Sequence, residues 1–343
     1  MTSRLISRSS LLALLALALL PVPNVRAVDY TGGSVSALPV KDGVAPVIDG
    51  DLSDWDLSAQ EPVYISSQTA EKMNAEWAVM YDKGALYLSA RVTMPDRAYH
   101  NPANIQDGFW WADCLQVRLT SDPALGNPLD RARDEKSDRI ASLSFWKNSE
   151  TGESFLNVTF GTKLNLGKTF NPEGSKTVIK ENGKSGYVME SRIPWSALNV
   201  PGGINPFKPG ESGAFFAETL WIGGDPARVA MCYTKNVGTF GFSRPDAWGR
   251  LVFAAESPGK RVRPTMEEMV AEAKAGISTG TTTVGVPIEV TVPDDNLKVS
   301  VNIFDENGGV IRELIGGEPH PKGSLTVRWD GRDAFGNPMK PGN

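Results

Sequence analysis

Four aspartates fall within eight residues near the start of the chain, in the segment VIDGDLSDWD from Val47 to Asp56. Carboxylate oxygens are the ligands that calcium prefers, so Asp49, Asp51 and Asp54 are candidate metal ligands. They occupy relative positions 1, 3 and 6, whereas the EF-hand loop needs glycine at the sixth position. The cofactor expectation is therefore limited to a structural calcium ion.

A purely structural interpretation of the same segment stays open beside the metal site. Asp49-Gly50 is a turn sequence, and Ser53 or Asp51 is a suitable cap for a short helical turn. Trp55 would then fill the interior of the fold.

Two further carboxylates, Glu190 and Glu218, are candidates for acid–base chemistry. Glycosidases need two carboxyl groups roughly 5 to 10 Å apart, and nothing in the sequence places these two together. Glu190 is better explained as an anchor for the turn that follows it, IPWSAL. A glycoside hydrolase acting on O-glycosyl bonds is an alternative, and the sequence favours a protein without catalysis.

Other chemistries have weaker candidates. The only histidines, His100 and His320, have no Cys, His or carboxylate neighbour at metal-ligand spacing, which argues against zinc and against a histidine-based triad. Cys114 and Cys232 lie far apart, and their pairing cannot be read from the sequence. The net charge of -5 provides no broad basic surface for nucleic acid.

The first residues predict export. Arginines precede an apolar run from Leu11 to Leu20, and a small-residue site ends at Ala27, the pattern of a secretory signal peptide over residues 1–27. No later window predicts a membrane span in the mature chain. We expect a secreted, periplasmic or cell-surface protein.

The elements that follow are short alternating strands broken by Gly, Pro, Asn and Asp, typical of an antiparallel β-sandwich over residues 28–255. Hairpins are predicted at Asp82-Lys83-Gly84 and Asn182-Gly183. In WADCLQVRL, Leu115, Val117 and Leu119 face one way, and Cys114, Gln116 and Arg118 face the other. One face should be core and the other available to a ligand.

The composition changes after residue 255. Thr265 and Glu268 form a capping box at the start of a helix, which predicts a helical linker over residues 256–285. Strands resume over residues 286–343 and predict a second, smaller β domain. The fold class is therefore all-β, with two sandwiches joined by a helical linker.

A series of motifs in order resembles the carbohydrate-binding module family 9: VIDGDLSDW, YDKGALYLSARV, WADCLQVRL, GYVMESRIPWSAL and AWGRLVF. The resemblance implies an antiparallel β-sandwich that binds the end of a mono-, oligo- or polysaccharide between aromatic faces. Trp110 matches the first clamp residue, and Trp111 beside it must face the opposite way along a strand. Tyr233, Phe242 and Trp248 compete for the second clamp position.

Charged and amide side chains would bind the sugar hydroxyls. By motif position Gln116 stands where the family usually has an acid, and Arg118 on the same face is an additional donor. Some relatives with this sandwich carry haem on methionine with histidine or lysine. Met80, Met94 and His100 keep a haem-binding sandwich as an alternative, although no CxxCH motif occurs.

The tail has a separate likeness. VSVNIFDENGGVIRELIGG and LTVRWDGRDAFGNPMKPG resemble the immunoglobulin-like domain of flagellar hook-assembly proteins, and that family continues into a further strand, which predicts that this domain is truncated. The sequence as a whole predicts an exported carbohydrate-binding module, and one option is that it forms part of a larger polysaccharide-degrading protein. A surface or assembly domain without ligand is a further alternative.

Overall fold

The computed structural model describes residues 34–64, 70–95, 98, 100–101, 112–130, 134–183, 185–221, 230–233, 245–271, 286–295, 297–304, 310–329 and 331. This part of the chain is mainly strand, which confirms the predicted all-β class. No helix within these ranges is both long and apolar enough to cross a membrane. The first thirteen strands are β1 Ser34–Pro39, β2 Glu61–Tyr64, β3 Asn74–Tyr81, β4 Ala85–Thr93, β5 Cys114–Thr120, β6 Ile140–Lys147, β7 Ser154–Phe160, β8 Lys168–Phe170, β9 Lys176–Glu181, β10 Gly186–Pro194, β11 Ser212–Trp221, β12 Ala230–Tyr233 and β13 Gly249–Phe253.

These strands form one curled sheet in the order β8-β7-β6-β5-β11-β13-β1-β3-β4-β10-β9, with β12 beside β11 and β2 beside β3. All pairings are antiparallel except those of β1, which runs parallel to β13 and to β3. The inner face of both halves contributes to a single apolar core, as in a sandwich. Its members include Trp77, Leu88 and Met189 from one half and Val117, Phe145 and Ala217 from the other.

Both predicted hairpin turns are present. The Asp82 carboxylate accepts hydrogen bonds from the backbone N–H groups of Gly84 and Ala85, each at 2.7 Å, and so closes the turn between β3 and β4. Gly183 has a φ of +68°, a conformation that glycine adopts without strain, between the paired strands β9 and β10. These local signals fix two of the strand connections that shape the sheet.

The segment after β13 packs on the sandwich. Val262 donates its backbone N–H to the Ser58 carbonyl at 2.9 Å and packs in a small apolar cluster with Leu38, Ala59 and Ala254. Arg263 forms an ion pair with Glu61 of β2 at 3.0 Å, and Arg261 lies 3.5 Å from a carboxylate oxygen of Glu76. We call residues 257–265 the strap.

One helix, α1, follows the strap over residues 266–271. The predicted capping box is formed: Thr265 N–H donates to the Glu268 carboxylate at 2.7 Å, and Glu268 N–H donates to the Thr265 hydroxyl at 3.0 Å. The rest of the predicted linker lies outside the described residues.

The remaining strands of the described residues form two antiparallel pairs, as expected for a second β region. β14 (Val286–Val292) pairs with β17 (Gly323–Trp329), and β15 (Leu297–Phe304) pairs with β16 (Val310–His320). The second pair carries three register shifts. The segment WDGRDAFG, part of the second tail motif, falls almost entirely outside the described residues.

Candidate functional site

The two faces of β5 separate as the alternation predicts. Leu115, Val117 and Leu119 enter the main core. Gln116 and Arg118 point to the other side of the sheet, where they are only 6% and 2% exposed. The expectation of an open second face is therefore wrong for these two side chains.

Polar side chains continue across neighbouring strands on this outer face. Gln116 lies directly opposite Ser144 of β6, which lies opposite Asn157 of β7. On its other side, Gln116 lies directly opposite Glu218 of β11. We call this set the polar row, and its members are Gln116, Arg118, Ser142, Ser144, Asn157 and Glu218.

Hydrogen bonds orient the middle of the polar row. The Arg118 guanidinium donates to the Gln116 amide oxygen at 2.8 Å and also to the Ser142 hydroxyl. At its rim the Trp146 indole N–H donates to the Asn157 amide oxygen at 3.2 Å. The Trp146 ring stacks on Phe155 with centroids 4.3 Å apart. The donors of the row are therefore fixed, and the Trp146 ring beside them is buried.

Glu218 is the exception in this network. Its side chain is 0% exposed, and neither carboxylate oxygen has a hydrogen-bond partner among the described residues. Burial raises the pKa of Glu218 to about 7, and the positive charge of Arg118 opposes that rise. Burial likewise lowers the pKa of Arg118 to about 10.

Sequence reasoning treated Glu218 only as a possible catalytic acid and missed its place beside Gln116. The alternation within β11 predicts which face Glu218 is on. The strand order that brings β11 next to β5 has no local signal.

The predicted aromatic residues are only partly described. Trp110, Trp111 and Phe242 lie outside the described residues. Tyr233 is the last residue of β12, and its backbone pairs with Glu218, which puts it at the end of the polar row. The register therefore brings Tyr233, Gln116 and Arg118 to one region of the sheet.

Trp248 does not fit the role of a clamp residue. It is 2% exposed and packs with Leu129, Ile140, Ala214 and Phe216 in a separate apolar cluster. The Asn127 amide donates to the Trp248 carbonyl at 3.0 Å and holds the backbone. Its ring is enclosed by side chains, so it has no open face for a sugar.

The aspartate segment forms a turn that its own carboxylates stabilise. The Asp49 carboxylate accepts the N–H of Asp51 at 2.9 Å, Asp51 accepts that of Ser53 at 3.0 Å, and Asp54 accepts that of Val47 at 2.7 Å. Asp51 thereby caps the 3-10 turn Leu52–Asp54. No three potential metal ligands converge in the described ranges. The predicted calcium ligands Asp49, Asp51 and Asp54 each accept a backbone hydrogen bond within the turn.

Glu190 holds this turn against the sheet. Its buried carboxylate accepts the N–H groups of Asp49 and Gly50 and the indole N–H of Trp55. Burial raises the pKa of Glu190, and these hydrogen bonds oppose the rise. The predicted anchoring role is correct, but the anchored turn is Val47–Asp56 and not IPWSAL.

Glu190 and Glu218 lie on opposite sides of the molecule. Their sequence neighbours Met189 and Ala217 both belong to the main core. Since side chains alternate along a strand, each glutamate points outward from its own half of the sandwich. With about 10 Å between packed sheets, the two carboxyl groups are not a glycosidase pair.

The residues considered for haem chemistry also lie apart from one another. His100 interacts with Glu181, and burial lowers the pKa of its imidazole. Met80 belongs to the apolar cluster under the aspartate segment, whereas Met94 is in the main core. The possible haem ligands Met80, Met94 and His100 therefore do not surround one site.

Cys114 carries a free, buried thiol. Its strand β5 and the Cys232 strand β12 lie on opposite sides of β11. Two strand spacings place their backbones roughly 9 to 10 Å apart, beyond the reach of a disulfide bond.

Comparisons with known proteins return the two families whose motifs occur in the sequence. The family model of the FlgD Ig-like domain matches residues 274–343. A search of curated proteins gives no match.

Two of the similar solved structures are carbohydrate-binding modules of family 9. A carbohydrate-binding module family 9 from Caldicellulosiruptor kristjanssonii in complex with cellotriose is 21% identical and covers 67% of this chain and 99% of its own, with a TM-score of 0.41. A module of this family from the same organism in complex with glucose is also 21% identical. It covers 67% of this chain and 100% of its own, with a TM-score of 0.41. A protein from Bacteroides uniformis ATCC 8492 is 14% identical over 65% of this chain and 100% of that chain, with a TM-score of 0.44.

Proposed function

We propose that the sandwich of residues 28–255 is exported and binds carbohydrate at the polar row. The observation that carries the proposal is the row itself: amide, guanidinium, hydroxyl and carboxylate groups in register on the sheet face that points away from the core. Sugar hydroxyls are donors and acceptors at once, and planar amide and guanidinium groups suit them. If this face of the sheet served only for apolar packing, it would not need the six polar side chains of the row.

Each named side chain has a role in this proposal. Gln116 and Arg118 bind sugar hydroxyls, and Trp110 provides the aromatic face on which the axial C–H groups of a pyranose pack. Trp111, Tyr233 and Phe242 are the candidates for a second aromatic contact. Trp248 is withdrawn from the set because its ring is enclosed.

The burial of the row affects the expected affinity. Gln116 and Arg118 are covered as the chain stands, so a saccharide must replace part of that cover as well as desolvate its own hydroxyls. Both costs subtract from binding, and we expect dissociation constants that are roughly micromolar or weaker.

Calorimetric titration of the chain from Val28 with glucose and cellotriose tests the proposal. These sugars are chosen as probes because they are the ligands in two of the similar structures. Trp110→Ala should weaken binding about tenfold or more. Phe304→Ala, which removes an exposed aromatic ring in the second β region, is the matched control and should leave binding unchanged.

Two outcomes would reject the proposal. The first is a folded protein that binds neither sugar at millimolar concentration and no member of a glycan array, which would favour an assembly domain without ligand. The second is release of reducing sugar that Glu190→Gln or Glu218→Gln abolishes, which would indicate a hydrolase.

A further inference from the structure

We infer that Glu218 provides the anionic hydroxyl acceptor of the polar row, from β11 and not from position 116, and that the site therefore prefers uncharged sugars to uronic acids. This inference rests on the proposed carbohydrate function. It explains how the chain can carry Gln116 where the family resemblance implies an acid.

The strand register supports placing the acid of the site at residue 218 and not at residue 116. Glu218 and Gln116 are directly opposite each other on adjacent antiparallel strands. Side chains at such positions start about 4.5 to 5.5 Å apart on the same face of the sheet. An acid at residue 218 therefore serves the same part of the surface as an acid at residue 116.

The surroundings of Glu218 leave its acceptor capacity unused. The charged and titratable neighbours from β5 are Arg118 and Cys114, and from β12 the register partner is Tyr233. Neither Glu218 oxygen has a hydrogen-bond partner among the described residues. A buried carboxylate without donors is costly. A hydroxyl group that donates to it forms a charge-assisted hydrogen bond, the stronger kind.

The same arrangement disfavours an acidic ligand. Arg118 already donates to Gln116 and Ser142, so its charge is partly engaged and is shared with Glu218. A uronate would bring a second anion beside a buried carboxylate, and within the described part of the polar row only the Arg118 guanidinium would compensate both charges. Like charges at short distance in a buried site are strongly unfavourable.

An exchange experiment on the chain from Val28 tests the inference. Calorimetry at pH 8 measures glucose, cellotriose and glucuronic acid on the parent protein, on Glu218→Gln and on the double variant Gln116→Glu/Glu218→Gln. We expect Glu218→Gln to weaken glucose binding about tenfold, and the double variant to recover most of that loss. Glucuronic acid should bind the parent at least about tenfold more weakly than glucose.

Thr219→Val is the matched control because Thr219 is a buried neighbour on the same strand whose side chain faces the core. It should leave binding unchanged, and thermal melts establish that each variant is folded. Glucose affinity within about twofold of the parent in folded Glu218→Gln would overturn the inference. So would glucuronic acid binding as tightly as glucose, which needs no variant. Either result leaves the proposed function standing, whereas a parent protein that binds no sugar rejects the proposed function itself.

Discussion

The carboxylate of Glu190 on β10 accepts the indole N–H of Trp55, a residue 135 positions earlier in the chain. The same carboxylate accepts the backbone N–H of Asp49 at 3.0 Å. Trp55 in turn packs with Met80 and Tyr87 on the outer side of β3 and β4. The aspartate-rich segment is thus attached to the sheet by one buried acid, and its own aspartates shape the turn.

Glu190→Gln should destabilise the sandwich. The amide retains one acceptor oxygen but turns an NH₂ group toward N–H donors, which leaves at least one buried donor unsatisfied. We expect a loss of about 2 kcal/mol in the free energy of unfolding, measured by urea denaturation. Asp51→Ala, which removes the exposed cap of the neighbouring turn, should cost about 1 kcal/mol or less. Equal small losses would contradict the anchoring role of Glu190.

Calcium should not stabilise this segment. The carboxylates of Asp49, Asp51 and Asp54 are each engaged by a backbone N–H. A bound ion would compete with those N–H groups for the carboxylate oxygens, and no three potential ligands converge within the described ranges. The melting temperature should therefore change by less than about 1 °C between millimolar calcium and EDTA. A real site would give a larger shift, because calcium at about ten times its dissociation constant would add more than about 1 kcal/mol of stability. A larger shift that Asp51→Ala removes would restore the metal interpretation.

What the sequence predicts well is local. The alternation of residues 114–120 gives the two faces of β5, Asp82 and Gly84 give a turn, and Thr265 and Glu268 give a capped helix start, because each signal spans a few neighbouring residues.

Contacts between distant segments are not predicted. That Gln116 faces Glu218, that Glu190 holds Trp55 and that Trp248 is enclosed all depend on strand order and sheet curvature, which short-range patterns do not encode. The same limit explains the expected open face of β5, since alternation separates two faces but does not say what covers each one.

The buried Glu218 should make the ligand-free protein less stable as the pH rises. Its pKa in the folded state is about 7, above the ordinary glutamate value of 4.5, because burial disfavours the charged form. The folded protein therefore holds a proton that the unfolded chain has lost between these two pH values. The contribution of protonated Glu218 to the free energy of unfolding is fully present below about pH 4.5 and is lost as the pH rises through 7. The loss is about 3 kcal/mol at most.

Urea denaturation at pH 5 and pH 8 measures this dependence. Burial also raises the pKa values of Glu61 and Glu190, so the informative quantity is the difference between the parent and Glu218→Gln. The variant should show a smaller decrease in stability over this range. An identical decrease would mean that Glu218 titrates as an ordinary surface acid.

The strap should be part of the sandwich and not a free linker. Arg263→Met removes the ion pair with Glu61 and a hydrogen bond to the Ser34 carbonyl. Because Glu61 is largely buried and would lose its cation, we expect a loss of about 1 to 2 kcal/mol in unfolding free energy. Adding Glu61→Gln should recover part of it, and Lys260→Met, at an exposed neighbour, should have no effect. A strap that tolerates Arg263→Met without loss would be a linker as first predicted.

Trp248 separates a packing role from a binding role among the aromatic residues. Trp248→Phe replaces an indole that is enclosed by Leu129, Ile140 and Phe216 with a smaller phenyl ring. The resulting cavity should lower the unfolding free energy by about 1 to 3 kcal/mol. Glucose affinity of the folded variant should equal that of the parent, because no face of the indole is open. Trp110→Ala should give the reverse result, with weaker binding and little change in stability. Weaker glucose binding by Trp248→Phe at full folding would return Trp248 to the site.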